Sequence, residues 1–276
     1  MAWTERQHRM LAELGLPPWF SPMSGPVEVE VSSAIETRLA GSLAQTAPPA
    51  QRVAEEPPQV IAVPFDAVTP GQPSMEPGWD ALRMKVAACT ACGLCHGRTQ
   101  TVFGVGNESA HWMVVGEAPG EQEDRQGEPF VGRSGQLLDN MLRAVGLTRG
   151  EAGPEQQVFI ANALKCRPPG NRNPSADELA TCEPFLIRQV ALVRPRIILA
   201  MGRFAVQSLL RSSEPIGRLR GKVHRYQDVP LVVTYHPAYL LRNPLEKARA
   251  WDDLCLAAST LKAASLTDVR AAPASG

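Results

Sequence analysis

Carboxylates, an imidazole, an amide and a set of thiols are the side chains of this sequence whose types and spacing suit chemistry. Glu117, Glu123 and Asp124 fall in the stretch GEAPGEQEDRQGEPFVGRSGQLLDNML, Gly116–Leu142, where five glycines, two prolines and five carboxylates lie between Gly116 and Gly135. Asn162 follows the apolar run VFIA, and His236 opens the segment HPAYLLRNP. A carboxylate orients water or steadies a developing cation, and an imidazole or amide donates to a developing anion. Glycines let backbone come close to a ligand, and N–H groups at helix starts favour anions or carbonyl oxygens. The competing reading of the first stretch is an acidic surface loop, and of His236 a surface histidine without a role.

The thiols form two groups. Cys89 and Cys92 make a C-x-x-C pair, and Cys166 and Cys182 have 15 residues between them. One such pair alone suits a redox motif or half a zinc site; two pairs flanking one sheet suit a four-thiolate metal centre, zinc or iron–sulfur. Cys95 extends the first pair toward a ferredoxin-like run, but no fourth cysteine followed by proline comes after it. Cys255, beside Trp251 and Leu254, reads as a core residue.

The elements that must hold these residues are legible as hydrophobic patterns. Trp112–Val115, Val158–Ala161, Ile197–Ala200 and Val229–Tyr235 are short apolar runs expected as buried strands. Helices are expected at Ala81–Ala88, after Gly135 with Leu137, Leu138, Met141, Leu142 and Val145 on one face, at Ala176–Val193 with Ser175 as N-cap, from Gly202 to Leu210, and at Leu245–Leu261. Alternating strands and helices predict one α/β/α domain over residues 80–265, with a parallel sheet covered on both faces. Glu117, Asn162 and His236 each follow a strand, the edge at which open α/β sheets bind ligands. In HPAYLLRNP, Leu240 and Leu241 beside Arg242 suit a wedge entering a base stack with the cation on phosphate; the competing reading tucks both leucines into the core.

Residues 1–20 read as a short amphipathic helix, either a tethered docking peptide or a fraying terminus. Residues 21–79 read as a disordered, acidic Pro/Ala-rich linker, since twelve of the 25 prolines precede residue 80. Residues 266–276 read as a disordered tail. The formal charge of zero divides into 4 − 10 = −6 for residues 1–80 and 24 − 18 = +6 for residues 81–276. A mildly basic domain suits a polyanionic partner. No run of about 18 apolar residues is present, so no membrane span is expected, and a soluble, cytoplasmic monomer is the expectation.

GEAPGEQED, GEPFVGRSGQLL, ANALKCRPPGNRNP and HPAYLLRNP together resemble the signature segments of the family 4 uracil-DNA glycosylases, in order and spacing, over about Ala87 to Leu261. The resemblance implies a three-layer α/β/α fold with a four-stranded parallel sheet. It implies a structural four-iron, four-sulfur (4Fe-4S) cluster on Cys89, Cys92, Cys166 and Cys182, with Cys95 outside the pattern. It places Glu117, Ala118 and Pro119 against uracil, Phe130 on the flipped base, Asn162 on the uracil edge and His236 at O2. Glu117 is the favoured water-positioning or cation-stabilising group, Glu123 its rival, and Asp124 structural. Ala118 and Ser134 bear on substrate range. The implied activity is hydrolysis of the N-glycosidic bond of uracil in single- or double-stranded DNA, leaving an abasic site without strand cleavage, because no lysine stands in the matching motifs as a Schiff-base nucleophile. The alternatives are an iron–sulfur DNA-binding module or a uracil-DNA-trapping protein without turnover.

Overall fold

A computed structural model describes residues 78–271; the expectations for the N-terminal helix, the Pro-rich linker and the last residues of the tail lie outside them. The described sheet has six strands: β1 (Val105–Gly106), β2 (Trp112–Gly116), β3 (Phe159–Asn162), β4 (Ile197–Met201), β5 (Val223–Tyr226) and β6 (Val229–Thr234). They lie in the order β1-β3-β2-β4-β6-β5. The four apolar runs form the parallel centre, β3, β2, β4 and β6. The four-stranded parallel sheet is therefore present, and an antiparallel strand extends it at each edge.

Neither edge strand carries a strong signal. β1 has two residues, and β5 reads VHRY with alternating exposure. The β5–β6 turn, Gln227-Asp228, takes φ of 45° and 67°, the geometry of a tight hairpin but without the glycine that usually marks one.

The helices are α1 (Trp79–Ala87), α2 (Glu121–Gln126), α3 (Gly132–Ala144), α4 (Ala176–Val193), α5 (Arg203–Leu210), α6 (Ile216–Leu219), α7 (Pro237–Arg242) and α8 (Lys247–Ala271). Side chains alternate faces along each strand, so one face of the sheet carries Met113, Val115, Ile198 and Ala200 against Leu186 and Val190 of α4 and Leu209 of α5. The other carries Trp112, Val114, Ile197 and Leu199 against Leu138 and Leu142 of α3 and Leu254 and Ala257 of α8. Ser175 caps α4 as expected: its hydroxyl accepts from the Glu178 N–H at 3.2 Å, and the Glu178 carboxylate accepts from the Ser175 N–H at 2.8 Å.

Two expectations at the C-terminus change. Helix α8 runs to Ala271 rather than Leu261, through residues expected as tail; Lys262–Ala271 contains neither proline nor glycine to stop a helix already nucleated. Cys255 is exposed, because Ala250, Leu254 and Ala257 set the buried stripe of α8 and position 255 turns away from it.

Candidate active site

Strand register brings the sequence-predicted residues to one rim. Gly116, the last residue of β2, pairs with Asn162, the last of β3, and Met201 of β4 pairs with Thr234 of β6. Glu117, Asn162, Gly202 and His236 therefore leave adjacent strand ends, and all four line one open cleft of about 960 Å³ with Ala118, Pro119 and Phe130. Beyond the strands the rim stays paired, with Ala163 N–H donating to the Gly116 carbonyl at 2.9 Å and Leu164 N–H to the Glu117 carbonyl at 3.0 Å.

Gly116 is the floor of the cleft. A methyl there would collide with the Asn162 amide oxygen and the edge of the Phe130 ring, so these two side chains share the space that glycine leaves. Phe130 adopts φ +54°, a left-handed conformation costly for a bulky residue. It persists because its carbonyl packs against Gly135 at the start of α3, where a Cβ would also collide, and because its ring stacks on His236 with centroids 5.2 Å apart and planes 26° from parallel. Asn162 and Phe130 are 2% and 4% exposed. The cleft floor is thus a fixed amide beside a fixed aromatic ring.

The carboxylates of the first stretch separate into different roles. The Glu117 oxygen Oε1 accepts from the Phe204 N–H at 3.4 Å, at the start of α5. Gly202, at φ +93°, leaves the space this carboxylate occupies. Burial raises the Glu117 pKa above the ordinary carboxylate value, while the N–H groups of Phe204 and Arg203 and the Arg203 charge pull it back. Glu123 instead spends both oxygens on backbone, accepting from Gly120 N–H and Val131 N–H, each at 3.0 Å. It closes α2, a short helix absent from the sequence reading, and braces the loop. Asp124 is 3% exposed and takes the Thr99 N–H at 3.0 Å with both oxygens, a structural post.

His236 caps α7: its Nδ1 accepts from the Ala238 N–H at 3.2 Å. In the neutral ring the hydrogen then sits on Nε2, which remains as the donor. Burial, followed by the Arg242 charge, lowers the His236 pKa to about 4, so the imidazole is neutral at pH 7.

The expected wedge is corrected. Leu240 is 1% exposed and packs with Leu137, Met141 and Leu254 in the core, and Leu241 is partly buried against the same cluster. Residues 237–242 form the helix α7 rather than an extended loop, and its inner face falls on Leu240. Arg242 lines the cleft, joined by Arg133, Arg172 and Arg203. Tyr235 stacks on Tyr239 at the same mouth, with centroids 5.0 Å apart. The sequence reading missed Arg203, although it follows β4 as Glu117 follows β2.

The thiols gather in a second pocket on the far side of β3. Cys89, Cys92, Cys95, Cys166 and Cys182 line it together with Val86, Leu94 and Phe185. Among the described residues no group of three or more His, Cys, Asp or Glu is placed to hold a metal ion. The donors around the sulfurs nevertheless suit a group that leaves them anionic. Arg98 Nη1 donates to Cys166 Sγ at 3.1 Å, and the Lys165 N–H donates to Cys182 Sγ at 3.3 Å. Burial pushes the Cys182 thiol up to about 11, against the nearby Lys165 charge. Five thiols on one pocket wall, with a guanidinium donor on Cys166 and a main-chain donor on Cys182, have the chemistry a thiolate-bound metal group needs.

A family model described as the uracil DNA glycosylase superfamily matches residues 103–255, more than half of the chain. The chain belongs to that superfamily. Within it, the chain is similar to type-4 uracil-DNA glycosylases. It is 41% identical over 173 residues to that of Archaeoglobus fulgidus, covering 60% of this chain and 84% of the relative. To that of Pyrobaculum aerophilum it is 40% identical over 176 residues, covering 61% and 87%. To that of Thermotoga maritima it is 40% identical over 167 residues, covering 60% and 84%. Similarity to a type-5 uracil-DNA glycosylase of Pyrobaculum aerophilum is lower, 33% over 149 residues.

Proposed function

We propose that this protein excises uracil from single- or double-stranded DNA by hydrolysing the N-glycosidic bond. The observation that carries the reading is the buried Asn162 amide, locked beside Phe130 over Gly116 at the floor of a cleft whose mouth bears four arginines. Uracil presents an acceptor at O4 and a donor at N3, which one fixed amide matches; cytosine reverses that pattern and leaves buried groups unpaired. The base leaves the stack at a cost of a few kcal/mol, and Phe130 receives it on the ring face away from His236. As the C1′–N1 bond breaks, its electron pair passes to the base and charge gathers on O2. His236 Nε2–H stabilises that charge, a contribution on the order of 3 kcal/mol. Glu117 steadies the cationic sugar and aligns the water that adds at C1′. Glu117 lines the cleft at the start of α5, whereas both oxygens of Glu123 are held by the loop. Protonation of the uracil anion and loss of the water proton complete hydrolysis to uracil and an abasic site. No lysine lines the cleft among the described residues, which supports hydrolysis without strand cleavage.

Cys89, Cys92, Cys166 and Cys182 are the residues that would hold a 4Fe-4S cluster, with Arg98 and the Lys165 N–H on its sulfurs. Bound there, it would supply a structural cross-link between the segment after α1 and the β3–α4 connection. Among the described residues no helix is long and apolar enough to cross a membrane. A DNA substrate puts the working protein in the compartment that holds DNA, and the N-terminal segment is proposed as a docking peptide for a repair or replication partner.

The test is an oligonucleotide with one uracil, treated with protein and then alkali. Cleavage at the uracil that disappears in Asn162→Ala supports the reading. Absence of cleavage by well-folded wild type overturns it in favour of a binding module without turnover.

A further inference from the structure

Between the cleft and the thiol pocket lies a lysine that the reaction does not use. Lys165 is 1% exposed, and its Nζ donates to the Asn162 carbonyl at 2.7 Å and to Gln189 Oε1 at 2.6 Å. Gln189, 0% exposed on α4, passes the linkage on, its Nε2 donating to the Phe103 carbonyl at 2.8 Å. The Lys165 main chain is tied as firmly: its N–H donates to Cys182 Sγ at 3.3 Å and its carbonyl accepts from Val102 N–H at 2.8 Å. A methionine would fill much of the same volume without the cost of burying an ammonium. What the ammonium adds is direction, since it grips the carbonyl of the residue whose amide faces the cleft.

We propose that Lys165 is the positioning residue for Asn162, fixing the end of β3 to α4 so that the amide meets uracil in one orientation. The inference rests on the proposed uracil-excising activity. Asn162 ends its strand, and past it the chain turns toward Cys166. Without the Lys165 bridge, that end is held by the ladder to Gly116 and by the Ala163 and Leu164 N–H groups on the Gly116 and Glu117 carbonyls, all on the β2 side, and none of these ties the Asn162 carbonyl to α4. A rotation of the Asn162 peptide would carry the side chain with it, and a displacement of about 1 Å at a reacting group costs on the order of 100-fold in rate.

The experiment is a double-mutant cycle on the full, cluster-loaded chain under single-turnover conditions, with inhibition by free uracil measured alongside. Lys165→Met is expected to lower excision by on the order of 100-fold and to weaken free-uracil inhibition, at unchanged iron content. In the Asn162→Ala background the same change should cost less than about twofold, because the group it positions is gone. Equal cost in both backgrounds would make Lys165 a general structural residue and overturn the inference, as would full activity in Lys165→Met. If Lys165→Met does not fold, Gln189→Leu removes one anchor of the ammonium and must show the same dependence on Asn162. If Asn162→Ala itself leaves excision unchanged, the proposed function falls; if Asn162→Ala lowers excision and Lys165→Met keeps full activity, only this inference falls.

Discussion

Asn162 and Cys166 are four residues apart in sequence, yet they serve two pockets built on opposite terms. The cleft is open, walled by polar loops at strand ends, and its special groups are held by backbone: Glu117 by the Phe204 N–H, His236 by the Ala238 N–H, Phe130 in a left-handed conformation. The thiol pocket is walled by Val86, Leu94, Leu164 and Phe185, and its sulfurs meet Arg98 and the neighbourhood of Lys165. Burial is the leading influence on acidity in both. In the cleft it keeps an imidazole neutral and a carboxyl reluctant to ionise, which suits a neutral base that becomes anionic only in the transition state. In the pocket it raises the pKa of the Cys166 and Cys182 thiols, which favours their protonated form when nothing cationic is bound. One pocket is open to a molecule that comes and goes; the other is proposed to hold a resident group.

That contrast breaks first at Cys182. Cys182→Ala should abolish iron retention and unfold the domain at a temperature where wild type is folded, a loss of several kcal/mol. Iron and sulfide analysis with a thermal melt followed by circular dichroism checks it. Full iron content in the variant would remove Cys182 from the ligand set. Cys95→Ser, by comparison, should keep the iron.

Changes in the cleft should spare the fold and remove activity. His236→Gln is expected to lower excision by on the order of 100-fold with little change in melting temperature. The pH profile separates the two titrating groups. The His236 pKa in the fold, about 4, lies below the ordinary histidine value, so its neutral form and the stability tied to it are complete above about 6.5 and decline as pH falls toward 4. The Glu117 pKa is raised above the ordinary carboxylate value, so the loss of its ionised form on acidification comes at higher pH. The acid limb of kcat/KM should therefore follow Glu117: it vanishes in Glu117→Gln and keeps its position in His236→Gln. A limb that moves with His236 would reverse the assignment.

Gly116→Ala sharpens the comparison at the floor. Its methyl meets the Asn162 oxygen and the Phe130 ring, and both must shift. Excision should fall at least tenfold while the iron content stays at the wild-type level, measured on the same preparation.

How much of this was readable beforehand follows from the kind of signal each feature leaves. The four central strands are apolar throughout because both faces are covered, so their runs stand out. Ser175 and Glu178 spell a capping box. Glu117, Asn162 and His236 were visible because each follows a strand. β1 and β5 were not, since an edge strand needs only one neighbour and tolerates mixed residues. The role of Glu123 was hidden because its partners are the N–H groups of Gly120 and Val131, and backbone partners carry no residue type. Lys165 was hidden for a different reason: a lysine in a motif reads as surface or phosphate contact, and only the fold shows it fully buried between Asn162 and Gln189.

The leucines after His236 give the smallest and sharpest test. In sequence, Leu240 and Leu241 beside Arg242 suggest a wedge, but α7 turns Leu240 into the core beside Leu137, Met141 and Leu254. Leu240→Ala should then behave as a cavity mutation, costing about 3 kcal/mol of stability and leaving the ratio of duplex to single-strand excision unchanged at temperatures well below the melt. Leu245, 75% exposed two residues beyond the end of the segment's Arg242-Asn243, should change stability by less than about 0.5 kcal/mol when replaced by alanine. A wedge acts only where bases are stacked, so its loss lowers duplex excision selectively. If Leu240→Ala lowers duplex excision selectively with the melting temperature intact, α7 must open on DNA and release Leu240 from the core. If the selective loss comes from Leu245→Ala instead, the apolar contact belongs to the residue the fold already exposes, and Leu240 is a core leucine that happens to sit beside a site.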